Sequence, residues 1–324
     1  MSPQISSDHL KPRNKINSLS STNPERGRER RTWPPVFVLA LGVVAMSFAS
    51  IFIRLCDAPT MAIATYRLVI ASAFFLVTAK AKRQVILRAF GPGDFLLALL
   101  SAAFLSLHFA TWITSLKYTS VASSVVLVQT SPIFVALGSV FILKERVSPL
   151  LVVGILLSVG GGVIIGLEDW GTGKNPFIGD VLALLGGVGG AGYWLAGRKL
   201  RLKVTTLQYV SVVYTTTAVV LLLISLCFRI PLHGFSGSTY LLLVLIALVP
   251  QVIGHTSFNW ALRFLSASSV SVAALGEPVG ASLLAYFILS EKVTNLKIVG
   301  GALILSGVYL ALRSETNARR RNGL

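Results

Sequence analysis

The sequence predicts an all-α membrane protein with ten transmembrane helices, arranged as two inverted five-helix repeats with both termini in the cytoplasm. Three observations predict this fold: an apolar composition, a division into ten apolar runs, and an internal duplication. Hydrophobic residues make up 54% of the chain and charged residues only 13%, whereas about a quarter of a soluble domain is charged. A helix crosses a bilayer with roughly 20 apolar residues. The predicted helices cover residues 35–55, 61–79, 94–116, 119–143, 149–167, 177–197, 207–228, 239–261, 266–289 and 295–312.

The duplication is clearest in predicted helices 4 and 9. The stretch from Ala122 to Arg146 resembles the stretch from Ser268 to Lys292 in one register. That register pairs Pro132 with Pro278, Glu145 with Glu291, Gly154 with Gly300 and Gly161 with Gly307, each pair 146 residues apart. Fixed self-similarity of this kind indicates a repeat architecture. Because each half contains five helices, an odd number, the second half must insert in the opposite direction.

The chain divides into four predicted segments. Residues 1–32 form a basic cytoplasmic tail too polar to fold, and residues 33–168 form the first repeat. Residues 169–313 form the second repeat, and residues 314–324 a second basic cytoplasmic tail. We expect both basic tails to contact anionic lipid headgroups.

Charge placement predicts the orientation. Lysine and arginine are biased 22 to six towards the side that carries the termini, and cytoplasmic loops carry such an excess. The net charge of +17 therefore reflects membrane topology, and we expect no nucleic-acid partner. An integral, multi-pass protein of the plasma membrane is the predicted localisation.

Several protein classes are excluded or disfavoured. Two cysteines, Cys56 and Cys227, cannot form a disulfide scaffold or a cysteine metal cluster, although one bridge between them is allowed. The chain has no nucleophile elbow, phosphate loop or HExxH motif. We therefore expect no catalytic residue, no metal and no cofactor.

Glu277 is the only carboxylate deep inside a predicted helix. Because a charge at the bilayer centre costs several kcal/mol, such a residue usually faces a cavity or a partner. One interpretation is a substrate contact able to take up a coupling proton. The other is a structural carboxylate, with Arg67 of helix 2 as its ion partner.

Other polar residues inside the predicted helices are candidates for the substrate path. Gln251, His255 and Asn259 recur every four residues on helix 8, beside Trp260, and His108 and Trp112 share a face of helix 3. Gln129 and Thr130 precede the first of two helix-kinking prolines, Pro132 and Pro278. Interhelical hydrogen bonding is the alternative for the polar residues, and packing is the alternative for the prolines. Packing is the preferred interpretation for Tyr193, Trp194 and Tyr214, and close helix approach for the glycines of helix 6.

These motifs resemble the drug/metabolite transporter superfamily, and specifically the EamA-type permeases. The resemblance rests on Leu143-Lys144-Glu145-Arg146-Val147, on Leu289-Ser290-Glu291-Lys292-Val293, on Glu277-Pro278-Val279 and on Arg67 early in helix 2. It covers residues 35 to 312 and implies a central cavity lined by helices 3, 4, 8 and 9. It also implies a permease or exporter that moves a small organic metabolite or drug by alternating access. A channel or sensor and a membrane-embedded enzyme are the alternatives.

Overall fold

The computed structural model describes residues 33–115, 117–119, 121–166, 174–290 and 293–321. Ten helices in this part of the chain are long and apolar enough to span a membrane. The continuous ones are α1 (Pro35–Leu55), α2 (Thr60–Ala81), α3 (Pro92–Ser115), α5 (Pro149–Gly166), α6 (Pro176–Arg201), α7 (Thr206–Cys227) and α10 (Asn295–Arg321). The interrupted ones are α4, which ends at Leu143, α8 (Gly237–Ala261) and α9 (Ala267–Leu289). α10 continues helically to Arg321, beyond its predicted end at residue 312.

Helices α4 and α9 break at equivalent points. α4 consists of Val121–Val128, Ser131–Gly138 and a wide final turn, Ser139–Leu143. α9 consists of Ala267–Ala274 and Glu277–Leu289. Proline lacks an N–H and cannot bond to the carbonyl four residues earlier. Pro132 and Pro278 therefore leave the backbone carbonyls of Val128 and Ala274, the last residues of the first segments, without their helical donors. Beside the first of these breaks, Thr130 Oγ1 donates to the Leu127 carbonyl at 2.6 Å.

The ends of these two helices repeat the same backbone geometry. Lys144 has a φ of 57° and Ser290 a φ of 55°, and both occupy the left-handed region that side chains rarely adopt. The two residues are related by the same 146-residue register as the two prolines. The internal repeat thus extends from the sequence to the backbone.

α8 is interrupted in a different way. Its middle, Ala247–His255, contains Pro250 and is wound as a π-helix, which places Gln251 and His255 in a wider turn. Such π segments often occur at functional sites. Asn259 follows in the ordinary α-helical segment Thr256–Ala261.

The helices of the two halves pair across the molecule. α1 packs on α8, α3 on α6, α2 on α7 and α5 on α10. When the two halves are exchanged, α1 corresponds to α6 and α8 corresponds to α3, so the α1–α8 pair becomes the α6–α3 pair. The α2–α7 pair and the α5–α10 pair each correspond to themselves. The packing therefore has approximate two-fold symmetry, as an inverted repeat requires.

Glycines allow the closest of these approaches. On α5, a Cβ atom at Gly161 would lie 2.9 Å from the backbone nitrogen of Ile304 on α10. On α6, a Cβ atom at Gly189 would lie 2.8 Å from the backbone nitrogen of His108 on α3. The predicted role of the helix 6 glycines in close helix packing is confirmed at Gly189, and Gly161 of α5 plays the same role.

The outer surface of the bundle is apolar. Phe177 and Phe287 are each 77% exposed, which suits contact with lipid. Cys56 is buried and Cys227 is exposed, and both thiols are free, so the disulfide that the sequence allowed is absent from the structure.

Candidate functional site

A cluster of buried polar side chains lies near the middle of the bundle, where α2, α3, α6, α7 and α8 meet. Its members are Arg67 of α2 and three residues of α8, Gln251, His255 and Asn259, with exposed fractions of 3%, 0%, 6% and 0%. The sequence predicted the three α8 residues as one polar face. The π-helical turn changes their angular spacing, yet all three still point into the protein.

Arg67 is held by three helices at once. Its Nε donates to Oε1 of Gln251 at 2.6 Å, and its guanidinium carbon lies 5.0 Å from the centre of the Phe109 ring on α3. One terminal nitrogen also contacts the sulfur of Met46 on α1 at 3.8 Å. These contacts leave the other donors of the guanidinium group for a further acceptor.

Glu277 begins the second segment of α9 and is half-buried. Its backbone carbonyl accepts a hydrogen bond of 3.2 Å from Ser47 Oγ on α1. Its carboxylate interacts electrostatically with Arg67, but the described residues show no direct ion pair between the two. The direct partner of Arg67 is Gln251, and Glu277 acts on it from a longer distance.

Asn259 organises the two tyrosines beside this cluster. Its Nδ2 donates to the hydroxyl of Tyr193 at 2.6 Å and to the hydroxyl of Tyr214 at 3.0 Å. The Tyr214 hydroxyl also lies 3.4 Å from Thr256 Oγ1. Sequence reasoning treated the tyrosines as packing residues and missed this network. The sequence did contain one indication of this network, because a tyrosine hydroxyl buried in an apolar helix usually finds a hydrogen-bond partner.

Three buried side-chain atoms close to this centre have no hydrogen-bond partner. They are Nε2 of Gln251, Nδ1 of His255 and Nε1 of Trp112. A buried polar group without a partner costs about 1–3 kcal/mol, so such groups need an explanation in the form of a water or ligand. Two of the three belong to α8, and one of these is on the same Gln251 amide that accepts a hydrogen bond from Arg67.

Aromatic rings enclose His255. Its ring stacks on Trp194 with centroids 6.2 Å apart and meets the Phe109 and Tyr193 rings edge-on at 6.0 and 6.4 Å. The predicted aromatic residues of α6 therefore form part of the wall around the polar cluster.

His108 and Trp112 lie on the glycine face of α6. His108 Nδ1 donates to the carbonyl of Gly186 at 2.8 Å, and its ring stacks on Trp112 with centroids 5.7 Å apart. Because Phe109 contacts both His108 and His255, this pair borders the polar cluster through one ring.

The remaining candidates lie elsewhere. Gln129 lies against α5, where its Oε1 is 2.7 Å from the position of a Cβ atom on Gly162. The Trp260 ring packs against the Phe264 ring at a tilt of 49°, with centroids 4.5 Å apart, and lines a shallow groove of about 420 Å³ between α1, α2, α7 and α8. The structure therefore brings neither residue to the Arg67 cluster.

A second set of polar contacts joins the halves at the end of the bundle where α1 begins and α10 ends, which we call the terminus side. Arg198 of α6 donates from Nε to Oε1 of Glu145 at 2.7 Å and from a terminal nitrogen to the carbonyl of Leu262 at 2.6 Å. Ser268 Oγ of α9 donates to Ser139 Oγ of α4 at 3.2 Å. These contacts tie α4 to α6, α8 and α9.

Arg201 is a buried cation that sequence reasoning counted as a loop charge. Its side chain is fully buried, and its Nε donates to the backbone carbonyl of Asn259 at 3.0 Å. It also donates to the Val204 carbonyl and the Thr206 hydroxyl. Arg201 thus connects the ends of α6, α7 and α8 beneath the polar cluster.

Comparisons with known proteins agree with this architecture. The profile of the EamA-like transporter family matches residues 33–167 and 177–313. An uncharacterized transporter of Archaeoglobus fulgidus is 27% identical over 285 residues, covering 86% of this chain and 97% of the relative. A probable terminal-alkyne amino-acid exporter of Streptantibioticus cattleyicolor is 27% identical over 199 residues, covering 60% of this chain and 65% of the relative.

One solved crystal structure shares the fold. It superposes with a TM-score of 0.76 at 18% sequence identity and covers 88% of this chain and 98% of its own. Together with the ten apolar helices, the profile match identifies an integral, multi-pass membrane protein. The chain belongs to the EamA-like transporter family.

Proposed function

We propose that the protein is a secondary transporter that moves a small organic metabolite or drug across the membrane by alternating access. The observation that carries the proposal is the buried polar cluster around Arg67, whose hydrogen-bonding capacity is unfilled. Helix α1 links this cluster to the break in α9, because Met46 contacts Arg67 and the adjacent Ser47 donates to the carbonyl of Glu277. In inverted-repeat transporters, broken helices near the midplane mark the substrate site. The name of the Streptantibioticus cattleyicolor relative supports a small organic solute.

The two-fold arrangement supports alternating access. In this conformation the halves are joined at the terminus side by Arg198, Glu145 and the Ser139–Ser268 bond. Ser148, immediately before α5, and Ser314 of α10 add a contact of 2.6 Å on the same side. We propose that this conformation is closed at the terminus side and that these contacts must break for the central cluster to open there.

We propose that both termini lie in the cytoplasm of a plasma-membrane protein, with repeats at 33–168 and 169–313 between tails at 1–32 and 314–324. Single cysteines in a cysteine-free background test the orientation. Cysteine at His233, an exposed residue between α7 and α8, should react with an impermeant maleimide on intact cells. A cysteine that replaces Lys82, at the end of α2 on the terminus side, should react only after the membrane is permeabilised. The reverse pattern contradicts the orientation.

If a proton is coupled to transport, we propose Glu277 as its carrier. Arg67 is the charged group that acts on it, and Tyr193, Tyr214, His108 and His255 are the titratable side chains that interact electrostatically with Arg67. Initial flux should then respond to an imposed pH gradient in the native protein and lose that response in Glu277→Gln. An unchanged response in the variant excludes this role.

Counterflow into proteoliposomes tests the transport function. Vesicles loaded with one metabolite should take up the same labelled metabolite at a saturable rate that an internal pool accelerates. Unsaturable flux without exchange would indicate a channel. Absence of flux across a panel of amino acids, organic acids, amines and uncharged metabolites would contradict the proposal.

A further inference from the structure

We propose that the lateral groove between α1, α2, α7 and α8 binds one phospholipid, with an acyl chain against the helices and an anionic headgroup at Lys82. The groove has a volume of about 420 Å³ and opens at the surface of the bundle. This inference goes beyond the proposed transport function and does not depend on it.

The groove runs from the terminus side into the membrane-spanning part of the bundle. At the terminus side it is lined by Trp33, which precedes α1, and by Lys82, which follows α2. Deeper in the bundle it is lined by Phe75 of α2 and Val252 of α8. Phe75 and Lys82 are seven positions apart, which corresponds to about 10 Å along a helix. The groove therefore extends from the headgroup region into the hydrocarbon.

The deep part of the groove is apolar. Leu41 of α1 lines it and is 48% exposed, although it lies in a depression between helices. Exposed apolar surfaces mark interaction sites, and inside a membrane the surrounding medium is lipid. The groove ends where α1 meets α8, because a Cβ atom at Gly42 would lie 3.0 Å from the Cβ atom of Ser257. An acyl chain in the groove would thus lie along the joint between these two helices.

Lys82 supplies the charge at the interfacial end of the groove. Its side chain is exposed and forms no ion pair with the part of the chain that the structure describes. Lysines next to a membrane attract anionic lipids, and tryptophans such as Trp33 are enriched at the membrane interface. An apolar groove with a cation and an indole at its interfacial end matches a phospholipid, in which an acyl chain leads to a phosphate. The proposed orientation places this end in the cytoplasmic leaflet, which carries anionic lipids.

Other occupants fit this charge pattern less well. The amino-terminal tail, residues 1–32, contains seven basic and three acidic residues, so its net charge has the same sign as Lys82. A lipid with a zwitterionic headgroup would fill the apolar part of the groove but bring no net negative charge to Lys82. The charge pattern therefore favours an anionic lipid.

One layer of side chains separates the groove from the central polar cluster. Thr256 lines the groove, and its Oγ1 donates to the Gln251 carbonyl at 3.3 Å and lies 3.4 Å from the Tyr214 hydroxyl. Phe75 also lines the groove, and its ring meets the Tyr214 ring edge-on at 5.8 Å. A lipid in the groove would pack against α8 beside its π-helical segment, so we expect the lipid to stabilise the fold.

Native mass spectrometry of the full chain in detergent measures the binding. The probes are phosphatidylglycerol and phosphatidylcholine with identical oleoyl chains, added at equal concentration. We expect one bound phosphatidylglycerol per monomer and a preference of about fivefold over phosphatidylcholine, the size of effect that one lysine near anionic lipid gives. Equal binding of the two lipids overturns the proposal. A dimer that binds neither lipid would show that a second copy covers the groove, and it overturns the proposal as well.

Matched variants locate the bound lipid. Lys82→Gln should remove the preference for phosphatidylglycerol, whereas Lys80→Gln, at an exposed position outside the groove, should keep it. Leu41→Trp fills the groove and should lower the binding of both lipids, whereas Leu156→Trp on the exposed face of α5 should not. Equal effects of the two lysine variants, or of the two tryptophan variants, overturn the proposal.

Thermal unfolding in detergent separates loss of lipid from loss of fold. A ligand that binds only the folded state stabilises it, so phosphatidylglycerol should raise the melting temperature of the native protein and of Leu156→Trp. It should not raise that of Leu41→Trp, whose cooperative unfolding without lipid shows that the variant folds. An equal rise in all three proteins would place the lipid elsewhere on the surface and overturn the proposal. Because neither measurement involves transport, failure of the transport function leaves this result unchanged.

Discussion

The Nε of Arg67 donates to Oε1 of Gln251 at 2.6 Å, and the Nε2 of the same amide is left buried without a partner. The two residues are 184 positions apart and belong to different repeats. The contact uses only one edge of the guanidinium group. A positive charge and an amide donor are thereby presented side by side in the interior of a membrane protein, where unfilled donors are costly.

Substitution of Gln251 should reduce transport in two distinguishable ways. In Gln251→Glu the new carboxylate would pair with Arg67 and occupy the unfilled donors of the central polar cluster, so initial flux should fall at least tenfold with thermal stability retained. In Gln251→Leu the Arg67 Nε loses its acceptor, so stability should also fall, by about 1–3 kcal/mol. Flux assays and thermal unfolding in detergent measure both effects. Native flux in Gln251→Glu would contradict a substrate site at Arg67.

Weakening the terminus-side contacts should favour opening on that side. Glu145→Gln replaces a charged acceptor of Arg198, in a pair with side-chain exposures of 22% and 17%. We expect a shift of about 1–2 kcal/mol towards the open form, or roughly five- to thirty-fold in population. Maleimide labelling of Ser268→Cys, introduced at a position 1% exposed in the closed form, measures this shift.

The matched control for that experiment is the Asp94–Lys203 pair on the same side of the bundle. It has a similar length of 2.6 Å but side-chain exposures of 23% and 53%. Exposed ion pairs contribute only about 0–1 kcal/mol, so Asp94→Asn should leave the labelling rate nearly unchanged. Equal labelling in Glu145→Gln and Asp94→Asn would mean that Arg198 does not hold the halves together.

Two adjacent glycines of α5 should respond oppositely to alanine. At Gly161 a Cβ atom would meet the backbone of α10, 2.9 Å from the Ile304 nitrogen, whereas at Gly160 it would meet nothing within 4 Å. Gly161→Ala should destabilise the protein by about 1–3 kcal/mol through overpacking. Gly160→Ala should be neutral or stabilise by up to about 1 kcal/mol, because alanine is the better helix former. Thermal unfolding in detergent separates the variants, and equal melting temperatures would exclude tight α5–α10 packing.

The two cysteines should differ in reactivity. Burial and the neighbouring Asp57 carboxylate raise the pKa of the Cys56 thiol above its ordinary value of 9.0. Since the thiolate is the reactive form, Cys56 should label slowly near neutral pH, and its rate should continue to rise with pH beyond 9.0. Exposed Cys227 should label first. Mass spectrometry after timed maleimide treatment measures both rates, and faster labelling of Cys56 would contradict this ordering.

The long elements of the fold could be predicted because their signals are local. The apolar run of each helix, the prolines at 132 and 278 and the repeated glycines are all visible in the sequence, and a new helical segment begins beside each of the two prolines. Proline removes a backbone donor wherever the chain runs. The break in α4 after Val128 and the break in α9 after Ala274 follow from that property alone.

The candidate site could be predicted only in part. The sequence identified Arg67, Glu277, Gln251, His255 and Asn259 as candidates because polar residues are costly inside apolar helices. It did not show that Gln251 holds Arg67, that Asn259 binds two tyrosines or that Trp260 faces a lateral groove. It also gave no sign that Arg201 is buried, since a cation at a helix end usually meets water.

By itself, the sequence determined the ten spans, the duplication and the points at which α4 and α9 break, because hydrophobicity, repeat register and proline geometry act over short stretches of chain. Only the tertiary structure decided which polar groups meet. A helix face gives a side chain a direction but not a partner, and the partner depends on how the two halves pack. Arg67 could face Glu277 or Gln251 with the same sequence, and the packing of α2 against α8 selects Gln251.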